Sequence, residues 1–395
     1  MSKNKRDIMF LCLFCSVMVV GLLTFVKTQN TLSTIENRTL TTFSHFTIHD
    51  FWNGSFQDNF EAAISDQFIG SSLIRLGYSE MLHSLPTFGL EDRICKDKYL
   101  ELAGSVDRRR ATFDCEDYIL YWPEELSENK KTNIVESTRR LSHLNELSDV
   151  YYYFVNDSSV YDFEKKEKVV DYYALLGNYL KGDYSIGEFD YKDYSGYKDM
   201  FYKTDHHWNY KGSYCGYMDI VNLLGINSPN NNKTIKTNHE PFFGSGAQST
   251  NNYTIEEEFS YYVFDLPEHD TFINGKVGKR GHFEEYQTHD YNYDRTTNYY
   301  AYLYGGDEGE IRFDYHQPKK ENLLMFVNSY SNPIDELIAS HFNKTYIIDL
   351  RHYKQFMGKD FDLKNYISEK KINKVLVIMS PTFLTELNNS VGLEG

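Results

Sequence analysis

Leu323-Leu324-Met325-Phe326-Val327-Asn328-Ser329-Tyr330-Ser331-Asn332-Pro333 is the stretch that decides how this chain folds. Five apolar residues without a polar interruption read as a strand buried on both faces. Ile334 to Phe342 then continues with an apolar face at helical spacing, so the serines stand at a strand-to-helix turn. Two further runs of the same kind follow, Tyr346-Ile347-Ile348-Asp349-Leu350 and Val375-Leu376-Val377-Ile378-Met379, separated by segments of helix length. That alternation predicts an α/β fold, a doubly wound and mainly parallel sheet with helices on both faces. Sheets of this class place their sites at the carboxyl ends of their strands, where Ser329 stands. A serine there has two readings. It is a nucleophile beside helix amides that stabilise an oxyanion, or it is an N-cap, with Pro333 in the first helical turn.

Working outward, the pattern recurs upstream. A charged segment from Glu124 to Leu147 carries Ile134, Leu141, Leu144 and Leu147 at mostly helical steps, and Val150-Tyr151-Tyr152-Tyr153-Phe154-Val155 follows as a buried strand. Lys168 to Leu180 reads as a second helix and residues 183–200 as a Tyr- and Asp-rich loop. Residues 211–224 read as a further helix, with Tyr214, Tyr217, Val221 and Leu224 on one face. Residues 240–318 form a polar, Tyr-rich insertion expected to fold as hairpins and loops. Nearer the N-terminus, Phe51, Phe56, Phe60, Ile64 and Phe68 give an amphipathic helix, expected to pack against the protein's own core because the segment lacks Lys and Arg.

Composition narrows the function classes. The chain has 395 residues and a formal net charge of −16, from 41 Lys+Arg against 57 Asp+Glu. A nucleic-acid binder needs a positive surface, so that class is excluded. With 34 tyrosines and 16% aromatic residues the chain is also unlike a disordered one. Tyr286, Tyr291, Tyr293, Tyr299, Tyr300, Tyr302 and Tyr304 crowd the insertion, where they serve either as packing or as a surface for sugar rings.

Location is written at the N-terminus. Lys3, Lys5 and Arg6 precede an uncharged run from Ile8 to Val26, long enough to cross a bilayer. Its exit, Thr24-Phe25-Val26-Lys27-Thr28-Gln29, has no small-x-small cleavage site, so an uncleaved signal-anchor is expected rather than a removed leader. The expected organisation is a cytoplasmic end at 1–7, a span at 8–26, a connector with the amphipathic segment at 27–85, and an extracytoplasmic catalytic domain at 86–395. Cys12 and Cys15 fall in the apolar run. Of the remaining Cys95, Cys115 and Cys215, the first two admit a disulfide in an oxidising compartment, and no four-ligand zinc cluster is present.

The densest chemical constellation is Thr204-Asp205-His206-His207-Trp208-Asn209. Adjacent side chains of an extended segment point apart, so His206 and His207 are poorly placed to share a metal ion. Asp205 and His207, two apart, share a face, and a carboxylate there fixes the tautomer of an imidazole that acts as general base. The other reading is a hydrogen-bonded loop histidine.

This stretch resembles the signature of the DHHW family, which is similar to the alginate O-acetylation proteins of the SGNH-hydrolase superfamily. Glu36-Asn37-Arg38-Thr39-Leu40, Asp66-Gln67-Phe68-Ile69-Gly70, Asn328-Ser329-Tyr330-Ser331 and Ile348-Asp349-Leu350-Arg351 fit the same resemblance, which therefore spans most of the chain beyond the apolar run. Asn328 stands where the alginate proteins have a small residue, and Ile69 where Pro is usual.

By position the resemblance implies Ser329 as nucleophile, His207 as base and Asp205 as its orienting carboxylate, with His206 at the variable position. Asn328 is a candidate oxyanion donor. Gly244-Ser245 resembles a second family block that supplies backbone donors or is a simple turn. Tyr330, Arg351 and His206 complete the candidate substrate contacts. The implied activity is O-acetyl transfer to a cell-surface polysaccharide through an acetyl-serine. No metal or cofactor is expected, the acetyl group coming from a donor substrate or from the partner the resemblance implies, a multispanning membrane-bound O-acyltransferase. A carbohydrate esterase and a non-catalytic polysaccharide-binding or assembly protein are the alternatives.

Overall fold

The structure is a computed structural model. It describes residues 29–33, 38–43, 47–84 apart from 53, 112–281 apart from 116, 124–125, 143, 145–147, 164 and 181, then 297–381 and 384, with scattered positions between 11 and 24. The chain divides into two compact units, Met1–Glu91 with Ser245–Ile255, and Asp92–Gly244 with Glu256–Gly395.

The second unit is built on an eight-stranded sheet. In chain order its strands are β1 (Asp149–Val155), β2 (Tyr184–Phe189), β3 (Asp270–Ile273), β4 (Lys276–Val277), β5 (Glu310–Asp314), β6 (Asn322–Val327), β7 (Lys344–Ile348) and β8 (Lys374–Met379). They lie side by side in the order β4-β3-β5-β7-β6-β8-β1-β2. From β7 to β2 every neighbouring pair is parallel, and β5, β3 and β4 add antiparallel strands beyond β7. β6 is therefore interior, with β7 and β8 bonded along its two edges.

Alternation along the strands assigns the two faces. Leu323, Met325 and Val327 of β6 join a cluster with Tyr153, Val155 and Ile378, covered by helices α3 (Tyr194–Met200), α4 (Tyr210–Leu223) and α6 (Asp335–Ala339). Leu324 and Phe326 join Tyr152, Phe154 and Val377 on the other face, covered by α1 (Glu128–Leu141), α2 (Tyr172–Gly177), α7 (Leu350–Met357) and α8 (Leu363–Lys370). Both faces are buried, which is why the parallel strands read as unbroken apolar runs. Several helices start on side-chain caps: Ser127, Asp171, Asp193, Asn209, Asp349 and Asp362 each accept a first-turn amide.

Several expectations change. The expected loop at 183–200 holds β2 and α3 instead; β2 is an edge strand, mostly half-buried, so it lacks a continuous apolar run. The insertion is only partly hairpin. Lys233–Phe242 pairs with Glu257–Phe264 as an antiparallel ribbon, whereas β3, β4 and β5 extend the main sheet. Its described helices are the short Ser245–Thr250 and α5 (Tyr299–Tyr304). The helix predicted over 168–180 shortens to α2, because Glu167–Lys168 pairs with Tyr161–Asp162.

In the first unit, helices Ile48–Trp52, Ser55–Gln67 and Ser71–Ser84 follow one another. Asp66 and Gln67, expected only as part of a family block, are buried and fasten the connector. Gln67 accepts from Asn30 N and donates to the Asn30 and Thr41 carbonyls at 2.8 and 2.9 Å, and Asp66 accepts from Thr41 N at 2.9 Å. Of the predicted apolar face, Phe51, Phe60 and Ile64 are exposed and Phe56 and Phe68 half-buried. The apolar run 8–26, the block at 36–37 and Cys95 lie largely or wholly outside the described residues, as does the Cys115 side chain. Among the described residues no helix is long and apolar enough to cross a membrane.

Candidate active site

The strand β6 ends at Val327, and the chain turns sharply through a single 3-10 turn, Ser329–Ser331. Asn328 caps that turn by accepting from Tyr330 N at 3.3 Å, while Ser331 N and Oγ donate to the Asn328 carbonyl. Ser331 is fully buried and Ser329 half-buried, and neither is the N-cap that the sequence allowed, a role that Asn328 fills for this turn. Ser331 holds the turn; Ser329 presents its hydroxyl.

The second component is the loop between α3 and α4. Phe201 and Trp208 form an isolated antiparallel bridge, and Tyr202 N donates to the His207 carbonyl, closing a tight excursion that contains Asp205, His206 and His207. Trp208 anchors it: the indole is completely buried, and Gly216 of α4 is its seat, since a Cβ there would lie 2.4 Å from the ring. Asn209 caps α4 by accepting from Lys211 N and Gly212 N, and donates to the Asp199 and Phe201 carbonyls. Thr204 is held by Glu257, whose carboxylate accepts from Thr204 N, Thr204 Oγ1 and Lys203 N, each at 2.9 Å. Burial pushes Glu257 up to about 7 against the opposing pull of those donors.

These supports bring three sequence-distant side chains into line. His207 Nδ1 lies 2.5 Å from Asp205 Oδ1, which also accepts the His207 backbone N–H at 2.9 Å. His207 Nε2 lies 2.8 Å from Ser329 Oγ. Asp205 and His207 are 4% and 7% exposed. Both imidazole nitrogens are thus engaged, one by a carboxylate and one by a hydroxyl. Asp205, His206 and His207 offer atoms within 4.8 Å of one another, but those engagements leave His207 no lone pair to direct at an ion. Chemically the arrangement is a hydroxyl beside a base whose far nitrogen is oriented by a buried carboxylate.

The other predicted residues are distributed around this line. Tyr330 is buried and donates to the His206 carbonyl at 2.8 Å, tying the serine turn to the histidine loop. His206 packs its ring 3.9 Å from that of His207, and burial followed by the charge of His207 pushes it down to about 4. Gly244 does not offer a free donor: its N–H goes to Thr204 Oγ1 at 2.9 Å, and a Cβ there would stand 2.2 Å from Asp205 Cβ. Its place in the motif is close approach to Asp205. Ser245 begins the short helix Ser245–Thr250, which belongs to the other unit. Arg351 is committed to two carboxylates, Asp349 through Nε and Nη2 and Asp307 through Nη2 at 3.0 Å.

Sequence reasoning missed Glu257, Asp307 and the place of Tyr300. Tyr299 and Tyr300 are buried rather than presented to sugar; Tyr302 is exposed, and Tyr286, Tyr291 and Tyr293 lie outside the described residues. Tyr300 stacks on His207 and donates to the Ser329 carbonyl. No signal separates it from its neighbours in a run of tyrosines.

No family model matches the chain, and no curated protein sequence matches it. Solved structures do. The fold is similar to that of PatB1 from Bacillus cereus in a structure with a sulfonyl adduct, at 21% identity over 69% of this chain and 95% of that one, with a TM-score of 0.54. A second PatB1 structure aligns at 22% identity over 69% and 96% of the two chains, with a TM-score of 0.52. A DHHW family protein from Eubacterium siraeum aligns at 17% identity over 72% and 94%, with a TM-score of 0.51. The likeness is one of fold, and it includes the family whose signature residues 204–209 resemble.

Proposed function

We propose that this chain is a membrane-anchored, extracytoplasmic O-acetyltransferase of SGNH type, which carries an acetyl group on Ser329 and passes it to a hydroxyl of a cell-surface polysaccharide. The observation that carries the reading is the unbroken line of hydrogen bonds from Asp205 through both nitrogens of His207 to Ser329 Oγ. In the first step His207 Nε2 takes the Ser329 hydroxyl proton as Oγ attacks the acetyl carbonyl; collapse breaks the donor's acyl bond and returns that proton to the leaving group. In the second, His207 takes the proton of the acceptor hydroxyl, whose oxygen attacks the acetyl-serine. Ser329 Oγ leaves and is reprotonated. Asp205 fixes the ring and balances the imidazolium formed in each half.

The Asn328 side-chain amide and the Ser329 backbone N–H are the proposed donors to the oxyanion, since Tyr330 N and Ser331 N are spent on Asn328 within the turn, and Tyr330, His206 and Arg351 are the groups beside the acceptor. The apolar run 8–26 anchors the chain, and a multispanning membrane O-acyltransferase supplies the acetyl group, so the chain itself needs no cofactor. The test is hydrolysis and transfer from p-nitrophenyl acetate by the detergent-solubilised full chain, with and without neutral oligosaccharides. Wild type is expected to release p-nitrophenol and to acetylate an oligosaccharide, and Ser329→Ala to do neither. Equal release by both would remove Ser329 from the chemistry, whereas hydrolysis with no transfer to any sugar would make the protein an esterase.

A further inference from the structure

We propose that Tyr300 is a positioning residue of this site, clamping the His207 ring against His206 and favouring the imidazolium that forms in each half-reaction. The inference rests on the acyl-transfer reading above and assigns a role to a residue that neither sequence motif contains.

Three contacts carry it. The Tyr300 ring lies 4.0 Å from the His207 ring at an interplanar angle of 14°. The His206 ring lies 3.9 Å from the same imidazole at 35°. Two rings that near one centroid cannot share a face, because their own atoms would overlap. They therefore cover opposite faces, and His207 is held between them. The third contact is the Tyr300 hydroxyl, which donates to the Ser329 carbonyl at 2.8 Å. One side chain thus touches both the base and the backbone of the nucleophile.

The clamp is itself fixed. Asn298 caps the helix carrying Tyr300. Arg280 donates from Nε to the Tyr304 carbonyl at 2.8 Å and from Nη2 to Asn332 Oδ1 at 2.7 Å, with the buried Asp335 carboxylate 3.0 Å away. Arg280 therefore joins α5 to the segment just after Ser329. A ring confined on both faces can move only in its own plane, and that plane contains the line from Asp205 to Ser329.

The electrostatic consequence has a definite sign. The π face of a tyrosine attracts a cation stacked on it, so Tyr300 stabilises His207 when it carries the extra proton. His206, held neutral by its burial, adds no competing charge at neutral pH. The other groups facing His207 are Asp205 on its own loop, Ser329 and Tyr330 on the serine turn, and, around His206, Tyr121, Asp307 and Arg351. None of these groups is itself altered when Tyr300 alone is changed.

The experiment compares Tyr300→Phe and Tyr300→Leu in the full chain, with circular dichroism to establish folding. Tyr300→Phe keeps the stack and loses the hydroxyl, so it retains most activity. Tyr300→Leu loses the stack: kcat falls about tenfold with KM within about twofold, and the acid limb of the kcat/KM profile moves to lower pH, the size being that of one stacked cation. Nuclear magnetic resonance titration of the His207 ring gives a readout that does not depend on turnover, and its midpoint is expected to move the same way. A folded Tyr300→Leu with an unmoved acid limb and ring titration would overturn the proposal, as would Tyr300→Phe behaving like Tyr300→Leu. If the wild type turns over nothing but the ring titration still shifts, the acyl-transfer reading fails and the clamp stands.

Discussion

Asp205 does two jobs with one oxygen, accepting the His207 backbone amide and facing the His207 ring. Asp205→Asn keeps the size but presents an amide that cannot fix the same tautomer. It is expected to lower kcat for acetyl ester hydrolysis by about three to four orders of magnitude, the range for this kind of change; a loss under tenfold would show that the carboxylate is not the orienting group. Its neighbour His206 titrates in a predictable direction. Pushed down to about 4 from 6.5, it resists protonation in the folded chain while the unfolded chain accepts the proton first. Stability from this group is therefore lost as pH falls from about 6.5 towards 4 and is unaffected above that window. Urea midpoints at pH 5 and pH 7.5 test it: wild type should lose more on acidification than His206→Asn, and parallel behaviour would contradict it.

At the scale of elements, the loop 201–209 is held by what lies beneath it. Gly216→Ala would drive a methyl into the Trp208 ring, and overpacking of that kind costs about 1–3 kcal/mol. A lower melting temperature together with reduced ester hydrolysis is expected, because the Trp208 backbone continues directly from His207; a variant that melts and reacts like wild type would show that the seat is slack. The buried strands β1, β6, β7 and β8 and the helix α4 were legible because each is a run of the right period for its surroundings. β2 and β3 were not, since edge and antiparallel strands are only half-covered and mix polar with apolar residues. Asp205, His207 and Ser329 were legible from the strand-end turn and the Asp-His spacing together with the family resemblance. Tyr300 and Glu257 act through contacts made across 50 residues or more of intervening chain or from within repetitive runs, and local sequence carries no mark of that.

For the whole molecule, the parallel sheet sets Ser329 at the carboxyl end of an interior strand, and the insertion brings Tyr300 to the same end through its contact with the serine backbone. The acidic, tyrosine-rich composition resolves accordingly. Much of the tyrosine is core, with Tyr152, Tyr153, Tyr197, Tyr217 and Tyr330 fully buried, and the formal net charge of −16 favours a neutral polysaccharide over an anionic one as the proposed acceptor. The expected anchor predicts that full-length protein sediments with membranes and is released by deletion of residues 1–28; release of the intact chain by high salt alone would contradict it. The proposed acyl transfer requires Ser329 to be an activated nucleophile. Intact-mass and peptide mapping after treatment with methanesulfonyl fluoride tests it most directly. A single adduct on Ser329, absent from Ser329→Ala and strongly slowed in His207→Ala, is the predicted result. Equal labelling of wild type and Ser329→Ala, or labelling unaffected by loss of His207, would contradict it.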